Sequence, residues 1–279
     1  MIDDYQPALV CIVETHMEKE EETQIPGYSL VCRNDRSANS GGILIGVRDN
    51  IKNISLELTQ ENKVGQSLWI LLTNTKKKLR IGVIYAPQEN VTPNNELKLM
   101  HEDIREQIKT GKEEKQQILI IGDFNAKIGE AVEGNKTQVT KGGRQLLKLA
   151  NKENMIILNT VKEKCKGVWT RVQGEEKSIT DYVLTDASSA NTVKEMKIDE
   201  EKQYGLHKLY KNTATNENRK IYSDHNSILI NLDFDTPTEE ERPKKIITIE
   251  GYKRYRTIIK EENVSELLKL GDLQESYNK

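Results

Sequence analysis

ILIIGDFNAKIG, residues 118–129, sets four apolar residues and a glycine directly against Asp123, with Asn125 two positions further on. A short branched run bounded by polar residues reads as a strand buried on both faces. Such a strand is an inflexible scaffold, and its C-terminal end carries a carboxylate and an amide from the protein interior to a rim.

Runs of the same kind recur on either side: ALVCIV (8–13), GILIGV (42–47), SLWILLT (67–73), LRIGVIY (79–85), MIILN (155–159), DYVLT (181–185) and SILINL (227–232). Each predicts a strand, and the lysines at 76–78 separate two of them closely enough for a hairpin. Helical spacing appears in ELKLMHEDIREQIK (96–109), where Leu97, Met100, Ile104 and Ile108 form one stripe, and in GRQLLKLANKEN (143–154). Neighbouring hairpin strands mixed with crossover helices exclude a purely parallel sheet and predict an α+β fold, mixed sheets flanked by helices.

After Phe234 the texture changes to DTPTEEERPKK, which predicts one main domain over 1–234 and a linker over 235–249. Residues 250–279 have scattered helical character but too few apolar positions for their own core, and read as a helical tail.

With 31% charged residues but a net charge of only −2, the chain has no global attraction for nucleic acid. Contact with a polyanion then needs a local basic cluster or a bound cation. Lys76, Lys77 and Lys78, and Arg242, Lys244 and Lys245, are such clusters, each read as a solvated turn. Cys11, Cys32 and Cys165 lack CxxC spacing, which supports neither a disulfide framework nor a thiolate zinc site and points to a nuclear or cytoplasmic protein. No apolar stretch approaches the roughly 20 residues that cross a bilayer, so no membrane partner is expected.

Chemically capable residues gather where strands end or begin. ALVCIV leads to Glu14, LRIGVI to Tyr85 and ILIIG to Asp123, while Asp181 opens DYVLT and Ser223, Asp224 and His225 lead into SILINL. An antiparallel strand starts at the rim where its neighbour stops. Glu14, Tyr85, Asp123, Asn125, Asp181, Asp224 and His225 are therefore expected at one mouth. Taken singly, each has a bland reading: Glu14 as a solvent-facing strand end, Tyr85 as a cap on the core, Asp181 and Asp224 as turn formers, His225 as a surface imidazole. Together, the carboxylates would repel one another unless a cation lay among them, and oxygen-rich ligands suit Mg²⁺ or Mn²⁺. That combination implies phosphate-ester chemistry. A carboxylate would aim or deprotonate water while an imidazolium or phenol stabilises the phosphoryl oxygens.

ETH (14–16), YAP (85–87), GDFNA (122–126), WT (169–170), TDYVL (180–184) and SDH (223–225), in this order, resemble the endonuclease/exonuclease/phosphatase superfamily over about residues 5–234. Within it, ETHM, SGGILIGVRDNI and YAPQEN followed by LIIGDFNAKIG look most like the endonuclease of non-LTR retrotransposons, relatives of apurinic endonucleases. The resemblance implies a four-layered α/β sandwich that nicks DNA with Mg²⁺, and a tail leading toward a reverse transcriptase. Position by position it implies that Glu14 binds the metal with Asp224 on the metal side, and that Asp123 orients or deprotonates the attacking water. Asn125 would hold that water or a phosphate oxygen, Tyr85 would donate to the phosphate or leaving group, and His225, held by Asp181, would polarise the phosphate. Family members begin with a further strand that carries a site Asn. Met1 falls within the helix after it, so the expectation is a chain lacking that strand, with reduced activity. Two alternatives stay open: a non-catalytic remnant of the fold, or a phosphatase of inositol phosphates or lipids or a deadenylase. Base preference is expected in the polar stretch Asp199 to Lys220, whose bland reading is a solvated insertion.

Overall fold

The structure, a computed structural model, describes residues 6–15, 25–34, 41–49, 56–61, 66–73, 77–88, 94–202, 207–211 and 218–233. They fall in one compact unit, Met1–Thr236. The helix expected before the ETH strand, His16, Lys76, the linker at 235–249 and the tail at 250–279 lie outside the described residues.

A six-stranded sheet forms the centre. Its strands are β4 (Leu56–Glu61), β5 (Gln66–Leu72), β6 (Leu79–Tyr85), β7 (Gln117–Asp123), β12 (Asp181–Thr185) and β8 (Ile156–Ile157), in the order β4-β5-β6-β7-β12-β8. β6 and β7 are parallel; the other neighbours are antiparallel, so the sheet is mixed. Residues alternate between its faces as the pleat requires. Leu68, Ile70, Leu79, Ile81, Val83, Leu119 and Val183 lie on one side, and Trp69, Ile84, Ile118, Ile120, Tyr182 and Leu184 on the other. Every residue of β6 is buried, which is why its sequence is apolar but for Arg80, whose guanidinium is bonded to Gln116 and Gln107.

The second face is covered by α1 (Asn94–Glu113), through Met100, Ile104 and Ile108, and by α2 (Lys141–Lys152), through Leu146 and Leu149. Each of these fully buried aliphatic side chains contributes about 1.5–3 kcal/mol relative to exposure. Thr140 caps α2 by accepting from Gly143 N at 3.1 Å. The first face is covered by two three-stranded sheets. One is antiparallel, in the order β1 (Leu9–Val13), β3 (Ile43–Arg48), β2 (Tyr28–Asn34); the other is β16 (Ile228–Leu232), β13 (Val193–Ile198), β9 (Cys165–Lys166). Ile43, Ile45, Val193, Met196 and Ile198 close that core. A short helix, α3 (Ala187–Thr192), capped by Asp186, links β12 to β13. The result is the mixed-sheet α/β sandwich that the sequence implied.

Two expected stretches take a different form, and one hairpin forms where none was expected. MIILN supplies only the two residues of β8 before a 3-10 turn, Leu158–Thr160. The Asn159 side chain then bonds the β12 backbone itself, donating to Asp181 O at 3.1 Å and accepting from Val183 N at 3.0 Å, in place of further strand. Between WT and TDYVL a small hairpin forms from β10 (Arg171–Gln173) and β11 (Glu176–Ser178). The stretch Asp199 to Lys220 is not a simple loop: it contains β14 (His207–Lys211) and enters β15 (Asn218–Tyr222), which pair as a two-stranded ribbon.

Candidate active site

The register of the central sheet assembles the site. Tyr85 on β6 lies beside Asp123 on β7, and Asp123 lies opposite Asp181 on β12. Three neighbouring strands thus present a phenol and two carboxylates in one row on the face toward the second sheet layer. Gly122 makes this end possible. Its φ is +144°, and a Cβ there would stand 1.9 Å from the carbonyl oxygen of Ile84, so no other residue fits without moving a central strand. Beyond the row the chain turns sharply, with Asn125 at φ +45° and its N–H donating to Asp123 Oδ1 at 2.8 Å. The Asn125 amide donates to Ala86 O at 2.8 Å, tying the GDFNA turn to the YAP turn.

Two further segments close on the row. Just past β1, Glu14 adopts φ +54°, a strained value for a non-glycine residue and a mark of functional sites. Its carboxylate accepts a hydrogen bond from the Tyr85 hydroxyl. His225 arrives from the loop before β16. Its Nδ1 is 3.0 Å from each Asp181 oxygen, and its Nε2 is 4.0 Å from Asp123 Oδ2.

Thr170, fully buried, holds this arrangement by accepting from the N–H groups of Thr180 at 3.0 Å and Asp181 at 3.1 Å. Its carbonyl accepts from Asn226 N at 2.7 Å, and the Asn226 amide donates to Trp169 O at 2.7 Å. The loop that carries His225 is thereby stitched to the WT segment.

Asp123 is only 2% exposed, and burial first, then the nearby Asp181 charge, push its carboxyl well above the usual range. Burial would lower the His225 imidazole, but the hydrogen bond and charge of Asp181, followed by the charges of Asp123 and Asp224, outweigh it and raise the group to about 9. Tyr85 is raised by burial and by Glu14, which keeps its hydroxyl protonated at neutral pH. Two adjacent carboxylates are thus held against their repulsion by one imidazolium.

The site residues expected from sequence do not all converge equally. Asp123, Asp181 and His225 bring carboxylate and imidazole atoms within 4.8 Å of one another. Glu14 and Asn125 join them through Tyr85 and Asp123. Asp224 stands outside that cluster, with its Oδ2 taken by Arg171 Nε and Nη2, both at 2.8 Å. Donor chemistry fits a hard cation: the groups are carboxylates with one imidazole and no thiolate. Buried oxygens without a protein partner, Thr15 Oγ1 and Asn226 Oδ1, follow Glu14 and His225 in the chain. Sequence reasoning gave no role to Thr170, Arg171 or Asn226; the WT pair marked the first, the polar run before SILINL included the last, and nothing local marked Arg171.

A profile of the family described as endonuclease-reverse transcriptase matches residues 79–229, just over half of the chain and the segment that holds Tyr85, Asp123, Asp181 and His225. The chain belongs to this family. Among solved structures, the endonuclease domain of TRAS1, a telomere-specific non-LTR retrotransposon, is similar at 16% identity over 75% of this chain and 81% of that one, with a TM-score of 0.50. The 3'-5' exonuclease NExo of Neisseria meningitidis matches at 15% identity over 83% and 91%, with a TM-score of 0.58. An AP endonuclease from Archaeoglobus fulgidus gives 14%, the same coverage and 0.58. At these identities the likeness is one of fold, that of the endonuclease/exonuclease/phosphatase superfamily. Comparison with curated proteins gave no match. This endonuclease-reverse transcriptase family member therefore carries its buried Asp123–His225–Asp181 cluster on the superfamily's sandwich.

Proposed function

We propose that this chain is a metal-dependent endonuclease that hydrolyses a phosphodiester in one strand of DNA and leaves a 3'-hydroxyl. The observation that carries this reading is the meeting of Asp123, Asp181 and His225, with Nδ1 of the imidazole held by Asp181 and Nε2 turned to the Asp123 side. Glu14 and Asp123 would hold Mg²⁺ or Mn²⁺, which when bound supplies positive charge to the phosphoryl group. Asp123 aims the attacking water and takes its proton, and Asn125 fixes the turn and the water beside it. His225, cationic at neutral pH, stabilises the charge that develops on the phosphoryl oxygens. Tyr85, protonated, donates toward the phosphate or leaving oxygen.

DNA as substrate is supported by a cleft of about 230 Å³ lined by Lys127, Arg171, Gln173, Glu176, Lys177 and Ser178. Arg171 in this cleft also holds Asp224, next to His225, so the cleft adjoins the site. Lys127 and Lys177, the cations there not held by Asp224, suit a phosphate backbone in a chain without overall positive charge. A substrate panel tests the reading: with Mg²⁺ the chain should convert supercoiled plasmid to the nicked form and should turn over inositol phosphates and other small esters far more slowly. EDTA should abolish nicking. Faster turnover of the small esters than of plasmid would move the chain to the phosphatases.

A further inference from the structure

The proposed chemistry gives no step to Arg171 or Asp224, yet both belong to the structure that delivers His225. Arg171 Nε donates to Asp224 Oδ2 at 2.8 Å, and Nη2 lies 2.8 Å from the same oxygen while donating to Gln173 Oε1 at 2.9 Å. The planar guanidinium is thereby fixed by two partners at once, a task that a single ammonium performs poorly. A second set of bonds runs along the backbone. Asn226 N donates to Thr170 O and Val172 N to Asp224 O, each at 2.7 Å, and Arg171 stands opposite His225 as an antiparallel bridge. Residues 224–226 thus act as a short extra strand on β10, with His225 at its middle.

The imidazole has to meet a fixed partner. Its Nδ1 lies 3.0 Å from each oxygen of Asp181, and Asp181 is held on β12 in register with β7. The other ties on the loop are exposed ones: Lys202 Nζ donates to Ser223 O at 2.6 Å, and His225 N to Ser223 Oγ at 3.1 Å. By position alone, Arg171 would be a plain phosphate-binding cation, since it lines the cleft with Lys127 and Lys177. Its bonds argue against that role, because its charge is already matched by Asp224 and two of its three nitrogens are engaged. Both members of the pair are partly exposed, so the pair adds little to overall stability. Its effect on rate follows a different rule, since a displacement of about 1 Å in a catalytic group can cost roughly 10²-fold.

We infer that Arg171 is a positioning residue for the reaction: through Asp224 it seats the loop that aims His225 at Asp181, and it acts on the chemical step rather than on the binding of DNA. This rests on the nuclease reading above. The test compares the full chain as wild type, Arg171→Ala, Arg171→Lys, Asp224→Ala and the double variant R171A/D224A. In Mg²⁺, Arg171→Ala should lower kcat for nicking by about 10- to 10²-fold and leave KM within about twofold. Arg171→Lys should recover part of the loss, and the double variant should be no slower than Arg171→Ala, because the two side chains act as one unit. The second readout needs no metal and no turnover. In EDTA, the low-field NMR signal of the proton between His225 Nδ1 and Asp181, assigned by its loss in His225→Ala, should be present in wild type and weakened or lost in Arg171→Ala. Should Arg171→Ala not fold, Arg171→Lys and Asp224→Ala carry both comparisons. A raised KM with unchanged kcat makes Arg171 a DNA-binding cation and overturns the proposal, as does an unchanged His225 signal in a folded variant. A wild type that never nicks overturns the nuclease reading instead, and the His225 signal still decides whether Arg171 seats the ring.

Discussion

Asp123 is a carboxylate placed where a carboxylate is costly. It is buried beside Asp181, so without a cation the folded protein holds protons that the unfolded chain releases. His225 acts in the same direction. Its folded value, about 9, lies above the ordinary 6.5, so its contribution to stability is complete below about pH 6.5 and is lost as pH rises through 9. In EDTA the melting midpoint should therefore fall between pH 6.5 and 9; a midpoint that rises over that window would contradict the protonation scheme. Asp123→Asn should raise the metal-free midpoint at pH 8 by about 2–4 °C, on the order of 1 kcal/mol for a domain of this size, while abolishing activity. Thr170→Val leaves two buried N–H groups without their acceptor and should cost about 1–3 kcal/mol by denaturant titration, with a loss of kcat because the Asp181 backbone is no longer held.

At the level of elements, the site depends on strand ends rather than on loops. Because β6, β7 and β12 are fixed by packing on both faces, Tyr85, Asp123 and Asp181 are aligned before any substrate arrives. Gly122→Ala should be among the most damaging single changes outside the chemistry, on the order of 3–5 kcal/mol, since its Cβ meets the β6 backbone. A midpoint within a degree of wild type would show that β6 and β7 yield more easily than their register implies. These same strands were the legible ones: LRIGVIY and ILIIG carry no polar side chain except Arg80 and Tyr85, because both faces are buried. By contrast β13, VKEMKI, is buried at Val193, Met196 and Ile198 but polar between, and β14 and β15 are largely polar, so neither gave a run to read. MIILN failed for the opposite reason: it is apolar enough for a strand, yet Asn159 takes over the bonding.

Across the whole molecule, strand polarity alone predicted that Asp181 and His225 would come to the rim where β7 ends, and the GDFNA and SDH motifs named which residues to watch. The pairing of Asp224 with Arg171 was not legible, because 53 positions separate the partners and only the fold brings the β10–β11 hairpin under the SDH loop. That pairing links the basic cleft to His225. Mg²⁺ should accordingly raise the melting midpoint at pH 8 and flatten its pH dependence, by relieving the Asp123–Asp181 repulsion. Asp123→Asn should lose that response.

The most direct measurement is the rate at which supercoiled plasmid is nicked in Mg²⁺ by wild type, Asp123→Ala and His225→Ala, each first shown to be folded. Wild type should produce open circles, and each variant should be slower by a factor of about 10² to 10⁴. Nicking by folded Asp123→Ala or His225→Ala at the wild-type rate would contradict the assignment of this cluster as the seat of phosphodiester hydrolysis.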